Sequence, residues 1–255
     1  LVQGLERSCD PYFYHLGLTL ANAGFEILPE YARAFGLGRP TGIEGVVEVG
    51  GLVPDPTWKL ENHGEVWTAG DSVNLAIGQG FLTVTPLQVA QYVAAVANGG
   101  TLYRPSVLNR IGAAPDGSGA AEVFESQVTG ELPLSEEHLD AIRQGLEGAT
   151  QRSGGTATYR FYNLSIPIAG KTGTAQAPGE TSLPHSWFAG YAPSNCHTLP
   201  EGCEKQIAIV VMIENAGEGS NVAAQLFRQV VEAYFNLPLT PLPPEALPPT
   251  PMPEE

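Results

Sequence analysis

Positive charge is scarce in this sequence of 255 residues. The chain holds 12 Lys and Arg against 27 Asp and Glu, which gives a formal net charge of −15 at pH 7. Proteins that bind nucleic acid regardless of its sequence use Lys and Arg to neutralise phosphates, so this balance argues against a nucleic-acid partner. We expect a soluble domain with an acidic surface.

Long apolar runs are missing as well. The best run, residues 207–213, is far shorter than the ~20 residues that a membrane-spanning helix requires, and the first residues show no signal-peptide pattern. Hydrophobic residues nevertheless make up 43% of the chain, which is ordinary for a globular protein. We therefore expect a globular domain. If the protein is exported or anchored, the segment responsible lies outside these 255 residues.

Cysteine is rare, and three cysteines do not suggest a metal cluster. Cys196 and Cys203 flank a polar stretch that contains Pro and Gly. They could form a loop disulfide, which would fit an oxidising compartment, or remain two unlinked surface thiols. The sequence leaves both alternatives open.

The first hundred residues read as a mostly helical region. Residues 1–37 are predicted to be helical, whereas residues 38–70 are rich in Gly and Pro and predict an ordered loop region. Thr85 can cap a further helix that has Pro86 at its first position and ends at the glycine pair 99–100. That helix is apolar almost all round and should be buried.

The middle of the chain predicts a surface excursion followed by a helix. Residues 112–130 are rich in Gly, Ala and Ser. Ser135 can then cap a helix, and Leu139, Ile142 and Leu146 mark its buried stripe.

Strands are predicted near the C-terminal end. The candidates are residues 166–170 leading into Lys171, 186–191 and 206–214, and the last is apolar enough to be covered on both faces. A final helix is predicted over 221–235, and a Pro-rich tail follows. The apolar residues expected on the buried face of that helix are Val222, Leu226, Val230 and Tyr234.

The segment Lys171-Thr172-Gly173-Thr174 carries the clearest chemical signal. Gly170, Lys171 and Thr172 match the end of a phosphate-binding loop, but that motif needs a glycine where Ser165 stands. The other interpretation is the Lys-Thr-Gly element of serine acyl-transferases that bind β-lactams. There a lysine attracts a carboxylate, threonine hydroxyls bind it, and a glycine lets substrate backbone approach the strand.

The surrounding sequence resembles the class B penicillin-binding proteins, especially the elongation-type enzymes related to penicillin-binding protein 2. The resemblance spans about residues 1–236. Ser8-Cys9-Asp10 resembles the family's second motif, usually Ser-x-Asn. The other matching segments are Trp58-Lys59 through Trp67, Gly70-Asp71-Ser72-Val73-Asn74, Ile77-Gly78-Gln79-Gly80, Thr85-Pro86-Leu87-Gln88 and His185-Ser186-Trp187-Phe188-Ala189-Gly190.

Asp10 departs from the general motif, which has Asn at this position. The resemblance implies an elongation-type member, in which Asp occurs here. An aspartate accepts hydrogen bonds but cannot donate an amide N–H to a substrate carbonyl. Without the distant lysine motif, Ser8 and Asp10 would be interpreted as a helix N-cap pair.

The family's nucleophile belongs to a Ser-x-x-Lys motif, and this sequence contains none. Its lysines stand at positions 59, 171 and 205, and the residues three places earlier are Pro56, Ile168 and Gly202. In the family that motif precedes the second motif by several tens of residues, and this sequence starts just before the second. We therefore expect that the serine lies upstream, and that the 255 residues alone do not acylate.

The resemblance implies an α+β fold of the penicillin-binding protein and serine β-lactamase type. An antiparallel sheet would be flanked by helices and joined by a helical lobe. These residues would supply the last three strands and the C-terminal helix, and would need the upstream part of the same protein for a well-ordered domain. The expected division is residues 1–237 for the transpeptidase portion and 238–255 for the tail.

The reaction implied by the resemblance is peptidoglycan D,D-transpeptidation through a serine acyl-enzyme. Ser8 and Asp10 would relay protons and orient substrate, and Lys171 would support them. Thr172 and Thr174 would hold the carboxylate beside Gly173, and the Thr174 N–H would form half of an oxyanion hole. No cofactor or metal is implied.

The expected partners are peptidoglycan stem peptides, β-lactams and a membrane glycan polymerase of the elongation machinery, on the outer face of the cell membrane or in the periplasm. The alternatives are a non-catalytic scaffold domain, a septal transpeptidase, a D,D-carboxypeptidase or a β-lactamase. For Asp71, loop capping is preferred to acid–base work, and Trp187 and Phe188 are expected to pack beneath the strand.

Overall fold

A computed structural model describes residues 1–112, 122–176, 183–198 and 203–242. It mixes helices with antiparallel strands, as the α+β prediction requires. Within these ranges the helices are α1 (Val2–Arg7), α2 (Asp10–Ala23), α3 (Ile27–Ala34), α4 (Pro56–His63), α5 (Ala69–Ala76), α6 (Pro86–Asn98), α7 (Glu136–Gln151), α8 (Thr158–Phe161) and α9 (Ala223–Tyr234). The strands are β1 (Thr101–Tyr103), β2 (Arg110–Ile111), β3 (Glu122–Val123), β4 (Val128–Glu131), β5 (Ala169–Ala175), β6 (His185–Ala192) and β7 (Ile207–Ile213).

The central feature is a three-stranded antiparallel sheet in the order β5-β6-β7. Alternate residues of β7 point to opposite faces, as the strand geometry requires. Ile209 and Val211 belong with Phe188 and Phe227 to the core beneath α9, whereas Val210 packs in the core shared with α6. The predicted covering of this strand on both faces is therefore confirmed.

Helix α7 contacts the two segments that carry the candidate site, α1 and β5. Helix α1 lies so close to it that a Cβ at Gly145 would stand 2.7 Å from the Leu5 Cβ. At the C-terminal end of α7, the Thr150 hydroxyl and the Gln151 side-chain amide donate to the Ile168 carbonyl at 2.5 and 2.8 Å, just before β5 begins. The end of α1 and the start of β5 are thus held on one helix.

The helical lobe is built on the packing of α2 against α5. The two helices cross at Gly17, where a Cβ would lie 2.8 Å from the Ala76 Cβ. The buried Lys59 ammonium of α4 binds the Asp71 carboxylate of α5 at 2.9 Å. Asp71 also accepts from the Thr68 N–H in a capping box, so the preference for a capping role is confirmed.

Three predictions about elements need correction. Residues 38–70 contain helix α4, whose Asp55 cap, Pro56 and left-handed Gly64 give it regular start and stop signals. Strand β5 does not end at Gly170 but continues through Ala175. The described parts of the expected excursion include β4, which pairs with β1, and residues 113–121 lie outside the described ranges.

The predicted buried face of the last helix is wrong. Val230 and Tyr234 are 41% and 40% exposed. The residues of α9 that are buried instead are Ala223, Ala224, Gln225, Phe227, Arg228, Val231 and Glu232. The buried face contains an ion pair between Arg228 and Glu232, which an apolar pattern cannot reveal.

The first residues of the Pro-rich tail lie along α9. The Thr240 N–H and hydroxyl donate to the Glu232 carboxylate, each at 2.6 Å, and the Gln229 side chain donates to the Thr240 carbonyl at 2.7 Å. Burial raises the pKa of Glu232, but these hydrogen bonds outweigh it and hold the pKa below its ordinary value. Residues 243–255 lie outside the described ranges.

Cys196 and Cys203 form a disulfide, with Cα atoms 5.3 Å apart. This resolves the two alternatives that the sequence left open in favour of the bonded pair. Among the described residues, no helix combines the length and hydropathy needed to cross a bilayer.

Candidate active site

Ser8 lies at the junction between α1 and α2. It closes α1 in the left-handed conformation, with φ 51° and ψ 52°, which is uncommon for a residue other than glycine. Cys9, not Ser8 or Asp10, occupies the N-cap position of α2, and it makes no side-chain capping bond. The interpretation of Ser8 and Asp10 as an N-cap pair is therefore wrong.

The Ser8 hydroxyl contacts the lysine of the Lys-Thr-Gly segment. The Lys171 Nζ donates to the Ser8 Oγ at 2.9 Å, although 163 residues separate them in the sequence. It also donates to the Thr172 carbonyl at 3.0 Å and to the Thr172 Oγ1 at 3.3 Å. The ammonium is thus held between β5 and the start of the helical lobe.

Burial removes the Lys171 ammonium from water and so destabilises its charged form. It lowers the pKa of Lys171 to about 8, and the nearby Asp10 carboxylate opposes that shift. Among the described residues Asp10 makes no hydrogen bond to Ser8 or Lys171, so it acts on this site through its charge. A lysine with such a pKa is partly neutral at physiological pH and can exchange a proton with a neighbouring hydroxyl.

The two threonines of β5 have different surroundings. The Thr172 Oγ1 lies 3.1 Å from the Thr156 Oγ1, in the turn after α7. The Thr174 side chain is exposed, and its Oγ1 accepts from the Gly219 N–H at 3.4 Å. The structure therefore does not bring the two hydroxyls to one shared partner within the described residues.

Glycine at position 173 lets another backbone approach β5 closely. Gly173 pairs with Trp187, and a Cβ on it would stand 3.0 Å from the Trp187 Cβ. A Cβ on Gly219 would collide with the carbonyl oxygens of both residues. Phe188, the next residue of β6, is fully buried beneath the sheet as predicted.

Gln79 contacts this site but was given no role from the sequence. Its side-chain amide donates to the Thr174 carbonyl at 3.2 Å across 95 residues of sequence. The sequence signal that could have indicated a role for Gln79 is its position between two glycines directly after a helix. In the structure Gly78 and Gly80 have φ of 74° and 79°. Such a residue is held on a turn and often points away from it.

In the described part of the chain, no group of three or more His, Cys, Asp or Glu residues could hold a metal ion. The site that does form combines a hydroxyl, a lysine of lowered pKa and the exposed Thr174 on β5. These groups fit proton transfer and anion binding rather than metal ligation.

A comparison with known families decides where this constellation belongs. Residues 1–232 match the family described as the penicillin binding protein transpeptidase domain. The chain belongs to that family. The resemblance inferred from the Lys-Thr-Gly segment and the Ser-Cys-Asp motif is thereby confirmed.

Individual members are similar over most of the chain. The peptidoglycan D,D-transpeptidase MrdA of Haemophilus influenzae is 31% identical over 250 residues, which cover 92% of this chain and 36% of that protein. The chain thus spans about a third of the length of this curated relative.

Solved structures of penicillin-binding protein 2 share the transpeptidase fold. That of Pseudomonas aeruginosa, in complex with WCK 5153, has a TM-score of 0.77 and 32% identity over 97% of this chain and 52% of its own. That of Helicobacter pylori, in complex with MreC, has a TM-score of 0.67 and 31% identity over 86% of this chain and 37% of its own.

Proposed function

We propose that the protein containing this chain is a peptidoglycan D,D-transpeptidase that cross-links stem peptides. The observation that carries the proposal is the 2.9 Å hydrogen bond from the Lys171 Nζ to the Ser8 Oγ. It places a titratable amine and a hydroxyl at the open face of β5, which suits a proton relay for acyl transfer. Family membership and the name of the Haemophilus relative support it.

The nucleophile belongs, in this proposal, to a Ser-x-x-Lys motif outside the 255 residues. Its serine oxygen forms an ester with the carbonyl carbon of the penultimate D-alanine, and the amide C–N bond to the last D-alanine breaks. The serine proton leaves on the D-alanine amine. The amine of a neighbouring stem peptide then attacks the ester, a new amide forms, and the serine regains a proton.

The residues of this chain would stabilise and orient that reaction. Ser8 and Lys171 relay the proton to the leaving amine, and Asp10 tunes the charge of the lysine. Thr174, with its side chain exposed at β5, binds the terminal carboxylate together with Thr172, and its N–H serves as one oxyanion donor. Gly173 keeps the strand free of a side chain where substrate backbone passes.

The cellular setting follows from the proposed substrate. Stem peptides are cross-linked outside the cytoplasmic membrane, and the Cys196–Cys203 disulfide fits an oxidising compartment. The Helicobacter structure was solved with MreC, which supports a role in a cell-wall assembly of this kind. Within that assembly we propose a glycan polymerase as the partner, since cross-linking needs newly made strands.

The test uses the full-length protein and a fluorescent penicillin. We expect covalent labelling, and peptide mapping that places the label on a serine of a Ser-x-x-Lys motif outside residues 1–255. Lys171→Met should slow labelling by about 100-fold, the lower end for loss of a proton-transfer group. Lys205→Met is the matched control. A folded full-length protein that takes no label would contradict the proposal and favour a non-catalytic scaffold.

A further inference from the structure

Gln79 provides a second connection between the helical lobe and β5. We propose that Gln79 is a positioning residue that fixes the Thr174 peptide for acyl transfer. The inference rests on the proposed function, because it assigns Gln79 a part in the same reaction. It goes further in naming a residue of the lobe that controls the geometry of the strand.

The local backbone explains how Gln79 reaches the strand. Helix α5 ends in a tight turn in which the Gln79 N–H donates to the Asn74 carbonyl at 2.9 Å. Gly78 and Gly80, with φ of 74° and 79°, adopt the left-handed conformation on either side. Glycine populates this conformation without steric cost, so the turn presents the one side chain between them.

The base of that turn is rigid. The Trp67 indole N–H donates to the buried Ser72 Oγ at 2.8 Å, and the Lys59–Asp71 pair ties α4 to α5. Helix α5 also packs on α2, which begins at Asp10, two residues after Ser8. A side chain that must hold a geometry within a few tenths of an ångström is best placed on such an element.

Thr174 is restrained on both sides of its Cα. The Thr174 carbonyl accepts from the Gln79 side-chain amide at 3.2 Å, and the Thr174 hydroxyl accepts from the Gly219 N–H at 3.4 Å. Thr174 also pairs with Ser186 of β6 in the sheet. The proposed oxyanion donor is the N–H of the same residue. This N–H and the Thr174 carbonyl belong to the two peptide units that meet at the Thr174 Cα, so a bond that fixes the carbonyl limits rotation about this Cα and hence the direction of the N–H. A donor stabilises the developing charge only when it lies about 2.7–3.1 Å from the oxygen, so small changes in that direction change the rate.

Two bonds therefore join the helical lobe to β5. The Lys171–Ser8 and Gln79–Thr174 contacts are three residues apart along β5, which corresponds to about 10 Å. A single bond would let β5 pivot against the lobe. The second bond fixes its angle, and this assigns Gln79 a function that the Lys171 contact does not provide.

The experiment measures acylation of the full-length protein by a fluorescent penicillin. In that step the serine oxygen bonds to the lactam carbonyl carbon, the lactam C–N bond breaks, and the serine proton ends on the ring nitrogen. Gln79→Met keeps the length of the side chain and removes the donor. We expect the second-order rate constant to fall roughly 10- to 100-fold, the range for a small misplacement near a reacting group.

The matched control is Gln91→Met. The Gln91 side chain makes the same kind of bond, to the Tyr103 carbonyl at 2.7 Å, but away from β5. It should acylate at the wild-type rate. The infrared stretch of the acyl-enzyme carbonyl gives a second readout, because a displaced oxyanion donor polarises this bond less. It should shift to higher frequency in Gln79→Met and stay unchanged in the control.

Several results would overturn the inference. One is a folded Gln79→Met protein that acylates at the wild-type rate, and another is slower acylation with an unchanged carbonyl stretch. If Gln79→Met does not fold, Gln79→Asn replaces it, because this variant keeps the amide but shortens the side chain by one methylene. A wild-type acylation rate and a wild-type carbonyl stretch in Gln79→Asn would also overturn the inference. If the wild-type protein takes no label, the proposed function fails and this inference fails with it. If the wild type labels and the Gln79 variants behave like wild type, this inference alone fails.

Discussion

Replacing Lys171 by Arg separates the positive charge of this side chain from its ability to lose a proton. Burial lowers the pKa of Lys171 from its ordinary value of 10.5 to about 8. At pH 7 about one-tenth of the side chain is then neutral, against roughly 3 in 10,000 for an ordinary lysine. An arginine remains charged at every pH of interest, so it keeps the attraction for a carboxylate and loses the relay.

The assay is the rate of acylation of the full-length protein by a fluorescent penicillin between pH 6 and pH 9.5. We expect the ratio of the wild-type rate to the Lys171→Arg rate to rise with pH, to reach half of its plateau near pH 8 and to level off above about pH 9. At the plateau the variant should be slower by about 100-fold or more, as for loss of a general base. A variant within threefold of wild type at every pH would refute the assigned role.

The lowered pKa of Lys171 also makes the stability of the folded protein depend on pH. Between about pH 8 and pH 10.5 the unfolded chain binds more protons than the folded one, so the free energy of unfolding rises with pH over this window. The rise attributable to Lys171 is about 3 kcal/mol, and Lys171→Met should lack it. Urea unfolding of both proteins at pH 7.5 and pH 10 checks this. An equal rise in both would contradict the low pKa.

Three further predictions concern the scaffold of the site. Gly219→Ala should lower stability by about 1–3 kcal/mol and slow acylation, because its Cβ would collide with two strand carbonyls; Gly112→Ala, whose Cβ would meet none of the described residues within 4 Å, should do neither. Thr150→Val should lower the free energy of unfolding by urea by about 1 kcal/mol, because it removes the buried hydrogen bond to the Ile168 carbonyl. Thr19→Val removes an exposed bond within a helix and should change that free energy by no more than about 0.5 kcal/mol. Removing residues 238–255 should destabilise the protein at pH 7, and the loss should shrink as the pH falls through the lowered pKa of Glu232; the same truncation of a Glu232→Gln variant should show no such pH dependence. Equal behaviour of any variant and its control would refute the corresponding assignment.

Local signals in the sequence were sufficient for some elements. The predicted start and end of α6 agree with the structure because Thr85 and Gln88 form a capping box, Pro86 begins the helix and Gly99 ends it in the left-handed conformation. These devices act within a few residues of one another. A pattern in the sequence can therefore report them directly.

Other features depend on partners that are distant in the sequence. The buried face of α9 was misjudged because its Arg228 guanidinium donates to the Arg160 carbonyl and the Asn163 side chain, 68 and 65 residues away. Gln79 received no role because its partner, Thr174, lies 95 residues away. The meeting of Ser8 and Lys171 was expected only from the family resemblance, since no local rule joins residues 163 apart.

The most direct test of the central claim is to supply the full-length protein with newly polymerised peptidoglycan and analyse the products. A D,D-transpeptidase should release one D-alanine for each cross-linked muropeptide dimer, and penicillin should abolish both products. Release of D-alanine without dimers would indicate a carboxypeptidase. The absence of both products, from a folded protein in the presence of its glycan substrate, would contradict the account.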